Sequence, residues 1–258
     1  MAQDRPVSLY RQQEAEGLSL QSRFKFQCHD GLACFNQCCQ APTIVLSPYD
    51  ILRLKQFLGL TSWEFLRRYT LQGTEEFSNL PLVFIDAFRS PGGGCPFVGA
   101  RGCMVYEHRP AACRLFPITM GSQLTEDGIV DYYFCRKLDY CRGFAGEVEW
   151  TVASWQDNQG FVEFDQGRRE WLEILLQAGL DGPLEARDRD LVATVAYDLD
   201  QFRQALLEPA FLKTNGLEDQ TLEELRRDDL ALLQFSYRYL KTILCEENCS
   251  NPPQTGAK

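Results

Sequence analysis

The stretch "CHDGLACFNQCC", Cys28–Cys39, holds four cysteines and one of the chain's two histidines. Its last two residues, Cys38 and Cys39, are adjacent, so their side chains leave the backbone in different directions and do not serve one centre in the same way. Three chemistries compete for so dense a set of thiols: disulfide stapling, metal or cluster ligation, and redox or nucleophilic thiol chemistry.

Length and composition narrow the choice. The chain has 258 residues, 45% apolar and 24% charged, enough to bury a core without covalent staples. The opening "MAQDRPVSLYRQQEAEGLSL" lacks the apolar segment of a signal peptide, and no apolar run approaches the length that crosses a bilayer. A cytoplasmic, reducing location without a membrane partner is therefore expected. Eleven cysteines in such a compartment point to metal binding or catalysis rather than disulfides.

Outward from the opening stretch, "CPFVGARGCMVYEHRPAACRLFP" supplies Cys95, Cys103 and Cys113, and "CRKLDYC" supplies Cys135 and Cys141. Metal ions or clusters are the expected partners of all nine. A tetrahedral zinc site or a [4Fe–4S] cluster takes four protein ligands. Nine thiols thus exceed one centre and nearly fill two. Either Cys38 and Cys39 serve two centres, or one is a ligand and the other is packed. The proline after Cys95 leans toward iron–sulfur, with zinc as the alternative. His29 and His108 lie in the same region, but the sulfurs suffice without them. Neither a thioredoxin-type C-x-x-C pair nor the tight C-x3-C-x2-C loop of radical chemistry is present, since Cys39 follows Cys38 at once.

Arginines accompany the thiols. Arg114, Arg136 and Arg142 each follow a cysteine, and Arg109 stands just before "PAAC". A metal-bound thiolate carries negative charge that a neighbouring guanidinium stabilises. Arg109 and Arg114 are therefore expected to be buried beside sulfur, supporting the cofactor without ligating it.

Between and beyond these groups the chain reads as ordinary structure. Ser47, Pro48 and Gly59 bracket one helix, and Thr61 with Glu64 opens a second. "LPLVFIDAF" reads as a strand, and "LFPITM" and "IVDYYF" as a hairpin about "EDG". Downstream, three helical stripes are expected in the core. They are Trp171, Leu172, Leu175 and Leu176; a single run from Leu191 through Val192, Val195, Leu199 and Phe202 to Leu206; and a last helix capped at Thr221 by Glu224. The fold class is α+β: a small cysteine-rich module over 24–145, with short hairpins and a helix pair, packed against a mainly helical half over 146–250.

The segment C-x-x-Y-E-x-R-P-x-x-C-R-x-F-P, Cys103 to Pro117, together with the run ending in Cys38-Cys39, resembles the YkgJ-type cysteine-cluster family, named for a C-x-x-C-x-x-C-C motif. The first group here, C-x5-C-x3-C-C, is wider than that name implies. The resemblance covers roughly 24–141. It implies zinc or iron chelation, with Cys28, Cys34, Cys38, Cys39, Cys95, Cys103 and Cys113 as ligands and Cys135 and Cys141 as additions. Flagellin lysine N-methylases share the domain, which makes protein-lysine methyl transfer an alternative activity. No glycine-rich nucleotide fingerprint supports that alternative, since Gly92-Gly93-Gly94 precedes a cysteine hairpin rather than a helix. Cys245 and Cys249, four apart, suggest a third role in metal delivery or sensing.

The formal net charge is −10, and the acidic excess falls in the second half. Nucleic acid is excluded as a partner, because phosphate neutralisation needs a local cationic surplus. The acidic helices are read as solvated faces, available to a protein partner.

Overall fold

The computed structural model describes residues 17–249 except 41, 77, 90–92, 182, 210 and 213–216, with backbone alone at 179–181 and 245–249. The expected helix pair forms as its caps dictate. Ser47 and Asp50 close a capping box on α1 (Pro48–Leu58), which ends at Gly59 with φ 65°. Thr61 and Glu64 close another on α2 (Ser62–Tyr69). Each box satisfies amides that the first helical turn cannot pair internally.

The strands are β1 (Arg23–Lys25), β2 (Val45–Leu46), β3 (Thr70–Thr74), β4 (Pro81–Ile85), β5 (Val98–Gly99), β6 (Gly102–Cys103), β7 (Ile118–Thr125), β8 (Gly128–Cys135) and β9 (Glu149–Thr151). They form small antiparallel sheets: β2–β4–β3, the hairpins β5–β6 and β7–β8, and the ribbon β1–β9. The long hairpin turns where "EDG" predicts, with Gly128 at φ 110° pairing with Thr125. The helices after α2 are α3 (Ala111–Leu115), α4 (Val152–Asn158), α5 (Phe161–Asp181), α6 (Ala186–Tyr197), α7 (Leu199–Leu206), α8 (Asp219–Arg227) and α9 (Asp229–Cys249). The class is α+β, with the cysteine-rich part in the N-terminal half.

A continuous core joins the two halves. Leu46, Leu54 and Phe65 belong to the same buried cluster as Val195, Phe202 and Leu232. Helix α1 packs on α5 and α9. Gly167 permits the approach to α5, because a Cβ there would stand 2.4 Å from Cγ of the Tyr49 ring. Lys55, 3% exposed, reaches Asp200 at 3.1 Å and Asp229 at 3.2 Å, tying α1 to α7 and α9. Asp200 also accepts the Ser62 amide at 2.6 Å, so one carboxylate holds both members of the helix pair.

Three helical expectations need correction. The run Leu191–Leu206 is two helices, because Asp198 leaves helical geometry and its side chain accepts from Gln201 to start α7; Leu191 faces solvent. Thr221 does not cap a helix: α8 has already begun at Asp219, and the last helix starts at Asp229, with the Asp228 carboxylate accepting the amides of Leu230 and Ala231. Trp171 and Leu176 are core residues as expected, but Leu172 and Leu175 are only partly buried and, with Trp171, line a cavity. Helical spacing shows which residues share a face; it does not show whether that face meets core or cavity.

Candidate metal centre

Backbone devices draw the thiols together. The Cys95 amide donates to the Cys39 carbonyl at 2.7 Å. Gly94 makes that approach possible: its φ is 94°, and a Cβ there would stand 3.0 Å from the same carbonyl. The hairpin β5–β6, with Val98 opposite Cys103, folds Cys103 back toward Cys95. Asp50 places the next thiol. Its Oδ1 accepts the Ala111 amide at 2.8 Å, while Oδ2 accepts the Ser47 amide at 2.8 Å and hydroxyl at 2.7 Å. The carboxylate that caps α1 therefore also anchors α3, which carries Cys113. As a result Cys113 lies within electrostatic reach of Cys95 and Cys103, and Cys39 within reach of Cys95 and Cys113.

A second set gathers where the chain ends of the module meet. The Gln27 amide donates to the Gly143 carbonyl at 2.9 Å, and the Arg142 amide to the Cys34 sulfur at 3.1 Å. The Phe26 ring covers Gly143, where a Cβ would come within 2.6 Å of it. Phe26 in turn sits edge-on to Phe116, Phe144 and Trp155. This wedge brings Cys28 within electrostatic reach of Cys34 and Cys141, and Cys141 within reach of Cys34. Cys38 stands between the sets, within reach of Cys28 and Cys141 on one side and of Cys95, Cys103 and Cys113 on the other.

The nine described cysteines are all free thiols. Burial pushes Cys28 up to about 11, helped by Cys38, Cys34 and Cys141, because clustered thiolates repel one another. Burial likewise raises Cys95, Cys103, Cys113, Cys135 and Cys141. Cys38 and Cys39 have sulfurs 3.9 Å apart, within reach of a thiol–thiol hydrogen bond. The hydrogen bond from Cys39 lowers Cys38 to about 7, and Cys39 rises in consequence. A site that resists ionising its thiols at neutral pH is one in which a bound cation has much to stabilise.

The thiols surround space rather than a point. A cavity of about 1350 Å³ is lined by Cys28, Cys38, Cys39, Cys95, Cys103 and Cys113 together with Trp155, Trp171, Leu172 and Leu175. That volume exceeds the usual range of small-molecule pockets. Among the described residues, no three His, Cys, Asp or Glu side chains are drawn in closely enough to clasp a lone ion.

Arg109 and Arg114 are both buried, and their partners differ. Arg109 stacks on Tyr106 at 3.8 Å, donates to Gln159 Oε1 at 2.7 Å, and lies near enough to Cys103 to favour its thiolate. Arg114 donates to the carbonyls of Arg109 at 3.1 Å, Gln159 at 2.8 Å and Glu107, and stacks on Phe164 at 3.9 Å. Its partners are loop carbonyls and a ring. His108 stacks on Phe57 at 4.5 Å, and the Nδ1 of His29 accepts the Gly31 amide at 3.2 Å. Cys135 closes β8 opposite Ile118, with Cys141 and Lys137 nearby. The side chains of Cys245 and Cys249 lie outside the described residues.

Asp50, Gly94 and Gln159 join the site without having been singled out in the sequence. Asp50 had a local signal, its place three residues after Ser47. Its bond to Ala111 spans 61 residues and leaves no local trace.

Residues 27–141 match the model of the CxxCxxCC family, described as "putative zinc- or iron-chelating domain". No curated protein and no solved structure matches the chain significantly.

Proposed function

We propose that the CxxCxxCC domain carried by residues 27–141 holds an iron–sulfur cluster on Cys39, Cys95, Cys103 and Cys113. The mutual proximity of these four thiols, each within electrostatic reach of at least one other and all lining one cavity, carries the reading. Metal chelation is the property of the matched family, and the cluster is the finer choice. It is supported by the proline that follows Cys95, a residue that also follows a cluster-ligating cysteine in ferredoxin-type sequences.

When bound, such a cluster supplies one-electron exchange or a Lewis-acidic iron. The chain's own residues hold and shield it. Asp50 fixes the helix that presents Cys113, and the Cys95–Cys39 backbone bond fixes two more ligands. Arg109 offsets negative charge near Cys103, and the aromatic wall limits water. The free cavity volume leaves room for a small-molecule reactant beside the cluster. A reducing, cytoplasmic setting suits free thiols put to this use.

Anaerobic purification with iron, acid-labile sulfide and zinc analysis tests the proposal. Iron and sulfide in equal amounts, with visible charge-transfer absorption, are expected. A colourless protein carrying stoichiometric zinc overturns it. No described helix is long and apolar enough to cross a membrane.

A further inference from the structure

We infer that Cys28, Cys34, Cys38 and Cys141 form a second metal centre, separated from the first by a single peptide bond, the one joining Cys38 to Cys39. The inference rests on the iron–sulfur reading above and extends it to thiols that the first centre does not use.

Cys39, Cys95, Cys103 and Cys113 make a complete set of four without Cys38. On the other side, Cys28, Cys34 and Cys141 are gathered by the Gln27–Gly143 bond, the Arg142–Cys34 contact and the Phe26 wedge. Three thiols lack one ligand of a closed tetrahedral or cubane set. Cys38 supplies it, being within reach of Cys28 and Cys141. Its sulfur stands 3.9 Å from that of Cys39, so the two ligand sets meet at that pair.

Adjacent cysteines are poorly suited to a single centre, because both sulfurs must turn to the same point from neighbouring Cα atoms. They suit two centres well, since each side chain serves its own side. Cys135 is left over. It lies at the end of a regular strand, where its pairing with Ile118 gives it a structural place without a metal. The nine thiols therefore resolve into two fours and a spare. The short link couples the centres, so that unpaired spins on both interact.

The test uses the full chain, reconstituted anaerobically with ferrous iron and sulfide. About eight iron atoms per chain are expected for two four-iron clusters. The reduced protein should show an electron paramagnetic resonance signal split or broadened by spin–spin interaction. Cys28→Ser with Cys141→Ser should halve the iron and leave the simple signal of an isolated cluster. Cys95→Ser with Cys113→Ser should do the same from the other side, and Cys135→Ser should keep the full iron content.

About four iron atoms in the unmodified chain overturn the second centre and leave the first standing. That measurement needs no variant to fold. Full iron in the Cys28→Ser, Cys141→Ser protein overturns the ligand assignment. Two zinc ions per chain would overturn the cluster reading but support the partition, whereas a chain that takes up no metal overturns both.

Discussion

Asp50 Oδ1 accepts the amide of Ala111 at 2.8 Å, so the cap of α1 and the helix that carries Cys113 share one carboxylate. Burial raises the Asp50 carboxyl, while its bonds from Ser47 and Ala111 work against that rise. Asp50→Ala removes the cap of α1 and the anchor of α3 together. We expect a loss of about 2–3 kcal/mol in stability, read by chemical denaturation, and reduced metal retention in dialysis against a chelator. Asp50→Asn keeps one acceptor oxygen and should retain more metal than the alanine variant.

Lys55 lies between Asp200 and Asp229. Burial alone would raise both carboxyls. The Ser62 amide and Lys55 outweigh it at Asp200, as Arg203 and Lys55 do at Asp229, so both sit below the usual range. A carboxyl depressed in the folded state contributes stability that is whole above its unfolded value, near 4, and is lost as pH falls through the lower native value. Lys55→Ala should cost about 3 kcal/mol at pH 7, and its deficit relative to the parent should shrink on acidification. Denaturation midpoints between pH 7 and pH 3 check this, and a deficit constant across that range would refute it.

Gly94 packs directly against the backbone of Cys39 and Gln40. Gly94→Ala demands a left-handed conformation of a residue with a Cβ and pushes that Cβ against the Cys39 carbonyl. A destabilisation of about 1–2 kcal/mol is expected. The sharper signature is loss of iron from the centre on Cys39, Cys95, Cys103 and Cys113, with the Cys28 side unaffected.

Arg109 and Arg114 should separate by phenotype. Arg114→Ala leaves three carbonyls without their donor and should lower stability by about 3 kcal/mol. Arg109→Ala removes the cation near Cys103, so the metal-free protein should alkylate more slowly at that thiol at pH 8. Mass spectrometry of the labelled peptide reads the rate.

The local features of this fold are legible in the chain. Ser47, Pro48, Gly59, Thr61 and Glu64 mark the ends of α1 and α2 through caps that act within a few residues. The thiol groups, likewise, are visible as spacing. Distant pairings leave no such trace. β1 is three residues long and makes sense only against β9, and β3 carries a glycine and little apolar pattern. Asp198 breaks a helical stripe whose periodicity continues across the break, because turn chemistry at one residue overrides the repeat. The nearness of Cys141 to Cys28 and Cys34 depends on the return of residues 141–146 beside Gln27, which spacing along the chain does not encode.

The ribbon β1–β9 also sets an order of events during synthesis. The Trp150 indole donates to the Phe26 carbonyl across a sequence separation of 124 residues. At a translation rate of about 5–20 residues per second, the segment around Phe26 leaves the ribosome roughly 6–25 seconds before its partner. For that interval the Cys28–Cys39 thiols have neither the Phe26 wedge nor Cys141 beside them. If the Cys28 thiols hold metal with Cys141 as proposed, that set is complete only once Cys141 has emerged, and until then oxidation of the waiting thiols is the hazard.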